Sequence, residues 1–183
     1  MKIHRTPIDG LMVVETRVHA DQRGFFKRLF CREELRELIG TRQIVQINQS
    51  CTQNPGAVRG MHYQCVPHAE MKLVRCLKGC VWDVAVDLRA DSVSFLQWHA
   101  EELSFDNSRM MVIPEGCAHG FQVLEAGSEL LYLHTEFYKP SVEGGLCPTD
   151  PELSISWPLP VSDLSERDRN HPLLTAEFTG LTV

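Results

Sequence analysis

The 183-residue sequence contains no C-x-x-C pair, no long apolar run and no surplus of basic charge. Each absence excludes something. The cysteines are Cys31, Cys51, Cys65, Cys76, Cys80, Cys117 and Cys147, an odd number. Without paired spacing, neither a zinc ribbon nor a disulfide framework is expected, and the thiols read as small buried hydrophobes in a reducing cytosol. No segment approaches the roughly 18 apolar residues of a membrane-crossing helix, so no membrane partner is expected. The opening Met1-Lys2-Ile3-His4-Arg5 has no apolar secretory stretch, which agrees with a cytoplasmic location. A net charge of −6 argues against a nucleic-acid partner, which would call for a basic face. It leaves room for a phosphorylated small molecule held by a few local arginines.

What is present suits one folded unit. A chain of about 150 residues buries roughly 70% of its unfolded surface, enough for a real core. No repeat, linker or low-complexity tract divides residues 1–183, so a single domain is expected. Strand-like sequence spans Leu11 to Glu15, Ile44 to Cys51, Lys72 to Arg75 and Val81 to Asp87. It recurs over Phe95 to Leu103, Arg109 to Ile113, Gly120 to Leu124 and Glu129 to Phe137. Turn signals such as Asn54-Pro55-Gly56, Lys78-Gly79 and Ala126-Gly127 separate these segments. Many short strands at this spacing predict an all-β sandwich or barrel. One helix is predicted over Arg32 to Ile39, and a helical turn after Ser162. The proline-bearing tail, 151–183, is expected to wrap irregularly over the barrel.

Polar residues interrupt several strands in a pattern that a plain core would not tolerate. Residues two apart share a strand face. Gln46, Asn48 and Ser50 therefore line one interior, and Gly60, His62 and Gln64 are expected to do the same. Pro114-x-Gly116-x-x-His119 is a pattern used by cupin barrels, many of which bind a metal through a second motif containing H-x-H. Here that place reads His62-Tyr63-Gln64. The second imidazole is missing, and two histidines with no carboxylate in the pattern make a poor metal site. No metal or other cofactor is expected.

In order along the chain stand Asp21-Gln-Arg23-Gly24-Phe-Phe26, Gln46-x-Asn48-x-Ser50, Arg59-Gly60-Met-His62-Tyr63-Gln64, Lys72-Leu-Val-Arg75, Asp83-Val-Ala-Val-Asp87-Leu-Arg89, Pro114-Glu-Gly-Cys-Ala-His119-Gly-Phe and Leu164-Ser-Glu-Arg-Asp168. From about residue 8 to 173 this set resembles the dTDP-4-dehydrorhamnose 3,5-epimerase family. The resemblance implies a cupin-type jelly-roll barrel with a few short helices. It implies epimerisation at C3 and C5 of a nucleotide-linked 4-keto-6-deoxyhexose.

Such a reaction removes a proton beside a ketone and returns one from the other face. It needs a base, a group for the enolate oxygen and an opposed acid. The resemblance assigns His62 as base, Asp168 as its orienting carboxylate, Lys72 as the oxygen-stabilising cation and Tyr132 as acid. It places Asp83 and His119 near the sugar, Arg59 and Arg23 at the diphosphate, and Phe26 and Tyr138 at the nucleotide base, and the pocket-lining Gln46 and Asn48 are expected to bind the substrate too. The Arg23 segment would serve a neighbouring subunit, which implies a homodimer.

Some positions depart from the family's usual pattern. Arg28 stands where a glutamate is usual, Glu70-Met71 where Gln-Gly is usual, Leu133-His134 for Lys-Thr, and Pro148-Thr149 for Trp-Asn. Altered rims on a shared core can change the substrate. Three alternatives stay open: a single C3 or C5 epimerase on another nucleotide-deoxysugar, a metal-dependent cupin oxygenase using His62 and His119, and a non-catalytic sugar-nucleotide binding module.

Overall fold

A computed structural model describes residues 1–183. The chain forms β1 (Lys2–Arg5), β2 (Met12–Glu15), β3 (Val18–Asp21), β4 (Gly24–Lys27), α1 (Arg36–Ile39), β5 (Gln46–Thr52), β6 (Val58–Gln64) and β7 (Lys72–Lys78). It continues through β8 (Cys80–Asp87), β9 (Trp98–Ser104), β10 (Arg109–Ile113), β11 (Cys117–Val123), β12 (Ser128–His134), β13 (Glu143–Gly145) and α2 (Glu166–Arg169). Six strands pair in the order β1-β2-β10-β7-β12-β5, and five in the order β13-β6-β11-β8-β9. Every ladder is antiparallel. The two sheets form a jelly roll, and β3 and β4 stand apart as a separate hairpin.

Strand alternation explains where the apolar residues go. Val74 and Cys76 of β7 join Val81, Ala85 and Phe121 in the core between the sheets. Leu73 faces the other way, onto Leu35 and Ile39 around α1. Val84 and Val86 also face outward, against Leu153, Ile155, Trp157 and Phe178 of the tail. Full burial of one such side chain is worth about 1.5–3 kcal/mol. The tail is therefore a third layer that keeps one face of a sheet dry.

Several boundaries differ from the prediction. The helix begins at Arg36 rather than Arg32, and residues 32–35 form turns before it. β7 continues to Lys78, since Cys76 packs inward. β12 stops at His134, short of the expected Phe137. β9 starts at Trp98 because Leu96 adopts φ 62° and breaks the extension. The short strands β1, β3, β4 and β13 carry too few residues for a readable alternation.

One irregularity shapes the site. On β11, His119 and Phe121 are two apart, but their partners on β6, His62 and Arg59, are three apart. The extra residue is a bulge, and bulges re-aim side chains. It turns Arg59 onto the same cavity as His62. Gly60 makes the close approach possible: its φ is +128°, and a Cβ there would lie 2.5 Å from the Gly120 Cα. Neither Gly60 nor Gln64 lines the cavity with His62. Gln64 is instead buried, donating to His68 O and Phe137 O and accepting from the Lys139 N–H.

Candidate active site

Between the sheets lies a cavity of about 1020 Å³. Strands β5, β6, β7, β11 and β12, the 136–145 segment and the start of α2 all contribute to its wall. A volume of this order accommodates a nucleotide-sized ligand. His62, Lys72, Tyr132 and Asp168 line it, and so do Gln46, Asn48, Arg59, His119 and Tyr138. Asp83 sits directly behind the wall, bonded to His119.

The His62 Nε2 lies 2.6 Å from Asp168 Oδ1. Asp168 is placed by α2, where Ser165 caps the helix by accepting from the Asp168 N–H. Its other oxygen accepts from the Gly60 N–H at 3.4 Å. Burial alone would push this carboxyl up, but the His62, Gly60 and Ser165 contacts outweigh it and hold Asp168 below its ordinary value. The acid therefore stays ionised beside the imidazole.

Across the cavity, Tyr132 shares a 2.9 Å hydrogen bond with Ser50. Burial pushes the phenol well above its ordinary value, with the Ser50 bond opposing. It remains a protonated O–H at neutral pH. Lys72 donates to the His62 carbonyl at 3.3 Å and pairs with Glu70 at 3.1 Å. Burial favours neutral Glu70, yet His134 and Lys72 overcome it and lower the Glu70 value.

A second imidazole–carboxylate pair, His119 with Asp83, closes at 2.7 Å. Asp83 is fully buried with Oδ2 unpartnered, and burial pushes its value up against the opposing pull of His119. Arg59 donates to Thr52 at 2.8 Å and makes no ion pair, so its fork is available to an anion. Tyr138 and Arg167 both bind Glu143, at 2.7 and 2.5 Å.

Arg23 and Phe26 are placed elsewhere. They sit on the β3–β4 hairpin around a small separate concavity, where Arg23 is held by Asp21. Within one chain they do not line the cavity that holds His62. Arg28, which follows β4 directly, pairs with Glu34.

Glu70, His134, Glu143, Ser165, Arg167 and His171 were not assigned from sequence. Glu70 stands two before Lys72, and His134 two after Tyr132. Strand periodicity thus carried a signal for both. The remaining four come from the tail and its approach, where no periodicity exists. The metal alternative paired His62 with His119, which face each other across β6 and β11 but hold separate carboxylates. Three possible ligand atoms do gather within 4.8 Å at His62, Asp168 and His171. Burial and the neighbouring His62 charge push the His171 imidazole below its ordinary range.

A jelly roll holding opposed imidazole and phenol groups around a nucleotide-sized cavity defines a cupin-type isomerase. The chain belongs to the dTDP-4-dehydrorhamnose 3,5-epimerase family, whose model matches residues 5–176. It is 45% identical to the dTDP-4-dehydrorhamnose 3,5-epimerase of Pseudomonas aeruginosa over 171 residues, 92% of this chain and 93% of that one. The Bacillus anthracis enzyme of the same name, solved with TDP and PPi bound, superposes with a TM-score of 0.91. It is 38% identical, with 94% of this chain and 99% of that chain covered. A Legionella pneumophila dTDP-6-deoxy-D-glucose-3,5-epimerase, solved with dTDP-4-keto-L-rhamnose, superposes with a TM-score of 0.89. It is 41% identical, with 94% and 92% covered. The sugar-nucleotide 3,5-epimerases are isomerases, and no helix of this chain is long and apolar enough to cross a membrane.

Proposed function

We propose that the protein epimerises a dTDP-linked 4-keto-6-deoxyhexose at C3 and C5. The observation that carries this reading is the placement of His62, Lys72 and Tyr132 around one cavity. Asp168 takes one ring N–H of His62, which leaves the other nitrogen to accept a carbon-bound proton. The C–H electron pair moves into the carbonyl, forming an enolate whose oxygen meets the Lys72 ammonium. The Tyr132 O–H then protonates the carbon from the opposite face. C3 and C5 both flank the C4 ketone, so one oxygen-stabilising cation serves both centres. His119, Asn48 and Gln46 orient the sugar, Arg59 binds the diphosphate, and Tyr138 lies at the nucleotide end.

The β3–β4 hairpin supports a homodimer. Arg23 is 84% exposed and Phe26 67% exposed, away from the cavity of their own chain. A second copy would receive them at its nucleotide end. All seven cysteines are free, which supports a reducing cytosol.

The test has two parts. Thermal-shift screening against dTDP, CDP, UDP and GDP should give its largest stabilisation with dTDP, because a ligand bound only by the folded state raises its melting point. With dTDP-4-keto-L-rhamnose in D2O, deuterium should enter at C3 and C5, and His62→Ala should abolish entry. Unchanged exchange in His62→Ala would remove the base assignment. Stabilisation by another nucleotide instead would redirect the substrate.

A further inference from the structure

We propose that Glu70 and His134 form a positioning pair that fixes the direction of the one Lys72 N–H left for the ligand. This rests on the reading of Lys72 as the group that meets the enolate oxygen. An ammonium has three donors. One goes to the His62 carbonyl at 3.3 Å and a second to Glu70 Oε1 at 3.1 Å. A single donor remains, on a side chain that lines the cavity.

Glu70 is itself held through its second oxygen. The His134 Nδ1 lies 2.7 Å from Oε2. An ionised carboxylate can only accept, so Nδ1 carries the hydrogen. Nε2 then keeps its lone pair and accepts from the Asn48 amide at 3.3 Å. The His134 ring also stacks on Tyr132, with centroids 6.2 Å apart and planes at 22°. Register makes the arrangement compact: His134 pairs with Lys72 across β12 and β7, and Tyr132 pairs with Asn48 across β12 and β5.

One connected set thus joins the ammonium on β7 to the phenol on β12. Lysine is a flexible point charge, and a roomy polar cavity offers it many solvated positions. Electrostatic stabilisation of an enolate requires the cation to be in place before charge develops. The Glu70–His134 pair supplies that fixity. The two side chains are each other's partner. Each makes chemical sense only with the other: Glu70 alone would be a buried charge with one partner, and His134 alone a buried imidazole with an unmet N–H.

The experiment uses the full chain, dTDP-4-keto-L-rhamnose exchange in D2O, and dTDP binding. Glu70→Gln and His134→Ala should each lower kcat for exchange about 10- to 100-fold, with KM and dTDP affinity within about twofold. The double variant should be no slower than the slower single, since both act as one unit. His134→Asn places an amide N–H near the Nδ1 position and should recover much of the rate, while His134→Gln should not. Additive losses, equal rates for His134→Asn and His134→Ala, or a rise in KM at constant kcat would each overturn the positioning role. Lys72→Met separates the two layers of argument. Exchange at the wild-type rate in Lys72→Met removes the role of the ammonium and the pair with it. An inactive Lys72→Met beside pair variants at the wild-type rate removes the pair alone.

Discussion

His62 stands opposite His119 on the neighbouring strand, yet each imidazole is bound to a different carboxylate, Asp168 at 2.6 Å and Asp83 at 2.7 Å. The two acids have opposite fates. Asp168 is held below its ordinary value by hydrogen bonds that overcome burial, while burial dominates at Asp83 and raises it. A persistently ionised partner stabilises an imidazolium, so the His62 pair is the one suited to taking up a proton.

Asp168→Asn tests that difference. The amide preserves shape but removes the charge that stabilises protonated His62. kcat for exchange should fall by about 10²- to 10⁴-fold, with dTDP affinity retained in a titration. A wild-type kcat in Asp168→Asn would show that the carboxylate only fills space.

Tyr132→Phe should separate proton removal from inversion. The base remains, so an enolate still forms and can be reprotonated by His62 from the face it attacked. Deuterium should continue to enter in D2O, while the epimerised product forms at least about 10²-fold more slowly. Product analysis by NMR reads both quantities. Because burial raises the phenol's value, the wild-type enzyme should not lose this acid as pH climbs through 9. Inversion at the normal rate without the hydroxyl would assign the acid elsewhere.

Gly60→Ala probes the bulge. A Cβ would meet the Gly120 Cα at 2.5 Å and the His119 carbonyl at 2.8 Å, and φ is +128°. Both contacts are backbone and cannot swing aside. The variant should lose at least about 2 kcal/mol of stability, read by urea unfolding, and should bind dTDP more weakly because Arg59 and His62 flank the site of strain. A variant as stable as wild type would mean that the bulge relaxes freely.

Asp87 gives a stability prediction with a defined pH window. Burial disfavours its charge, but bonds from Arg89, Ser92 and Ser94 prevail and bring it down to about 2 from 3.8. A carboxyl lowered in the native state binds protons more readily when unfolded. Its contribution is therefore complete above about pH 4 and is lost as pH falls through about 2. Asp87→Asn should cost about 1–3 kcal/mol at pH 7, as expected for hydrogen bonds to a charged group. The gap to wild type should narrow in unfolding curves taken from pH 4 downward. A gap independent of pH would assign the loss to packing alone.

Much of this architecture could be read from residue order. β8 shows why: Asp83 and Ala85 face inward while Val84 and Val86 face out, as period-two alternation dictates. Gln46, Asn48 and Ser50 likewise share the cavity wall. Alternation failed where the chain inserts a residue, at Gly60, because a bulge is a tertiary accommodation to the close approach of Gly120. It failed at the hairpin for another reason. Arg23 and Phe26 are exposed on a hairpin apart from the cavity of their own chain, and alternation says nothing of where such a hairpin sits. By local pattern Asp168 belongs to a charge run, Ser165-Glu166-Arg167-Asp168-Arg169. The resemblance alone singled it out, because local pattern carries no information about a long-range contact such as that with His62.

That contact spans 106 residues. Translation proceeds from the N-terminus, so a growing chain has all eleven strands of the two sheets before Asp168 exists. A half-made barrel can shape its cavity and present His62, but the imidazole has no anion to orient it. The pair forms only when the segment that carries Asp168 docks at Gly60 and His62. Docking of the segment that carries Asp168, rather than formation of the two sheets, is the event that completes the His62–Asp168 pair.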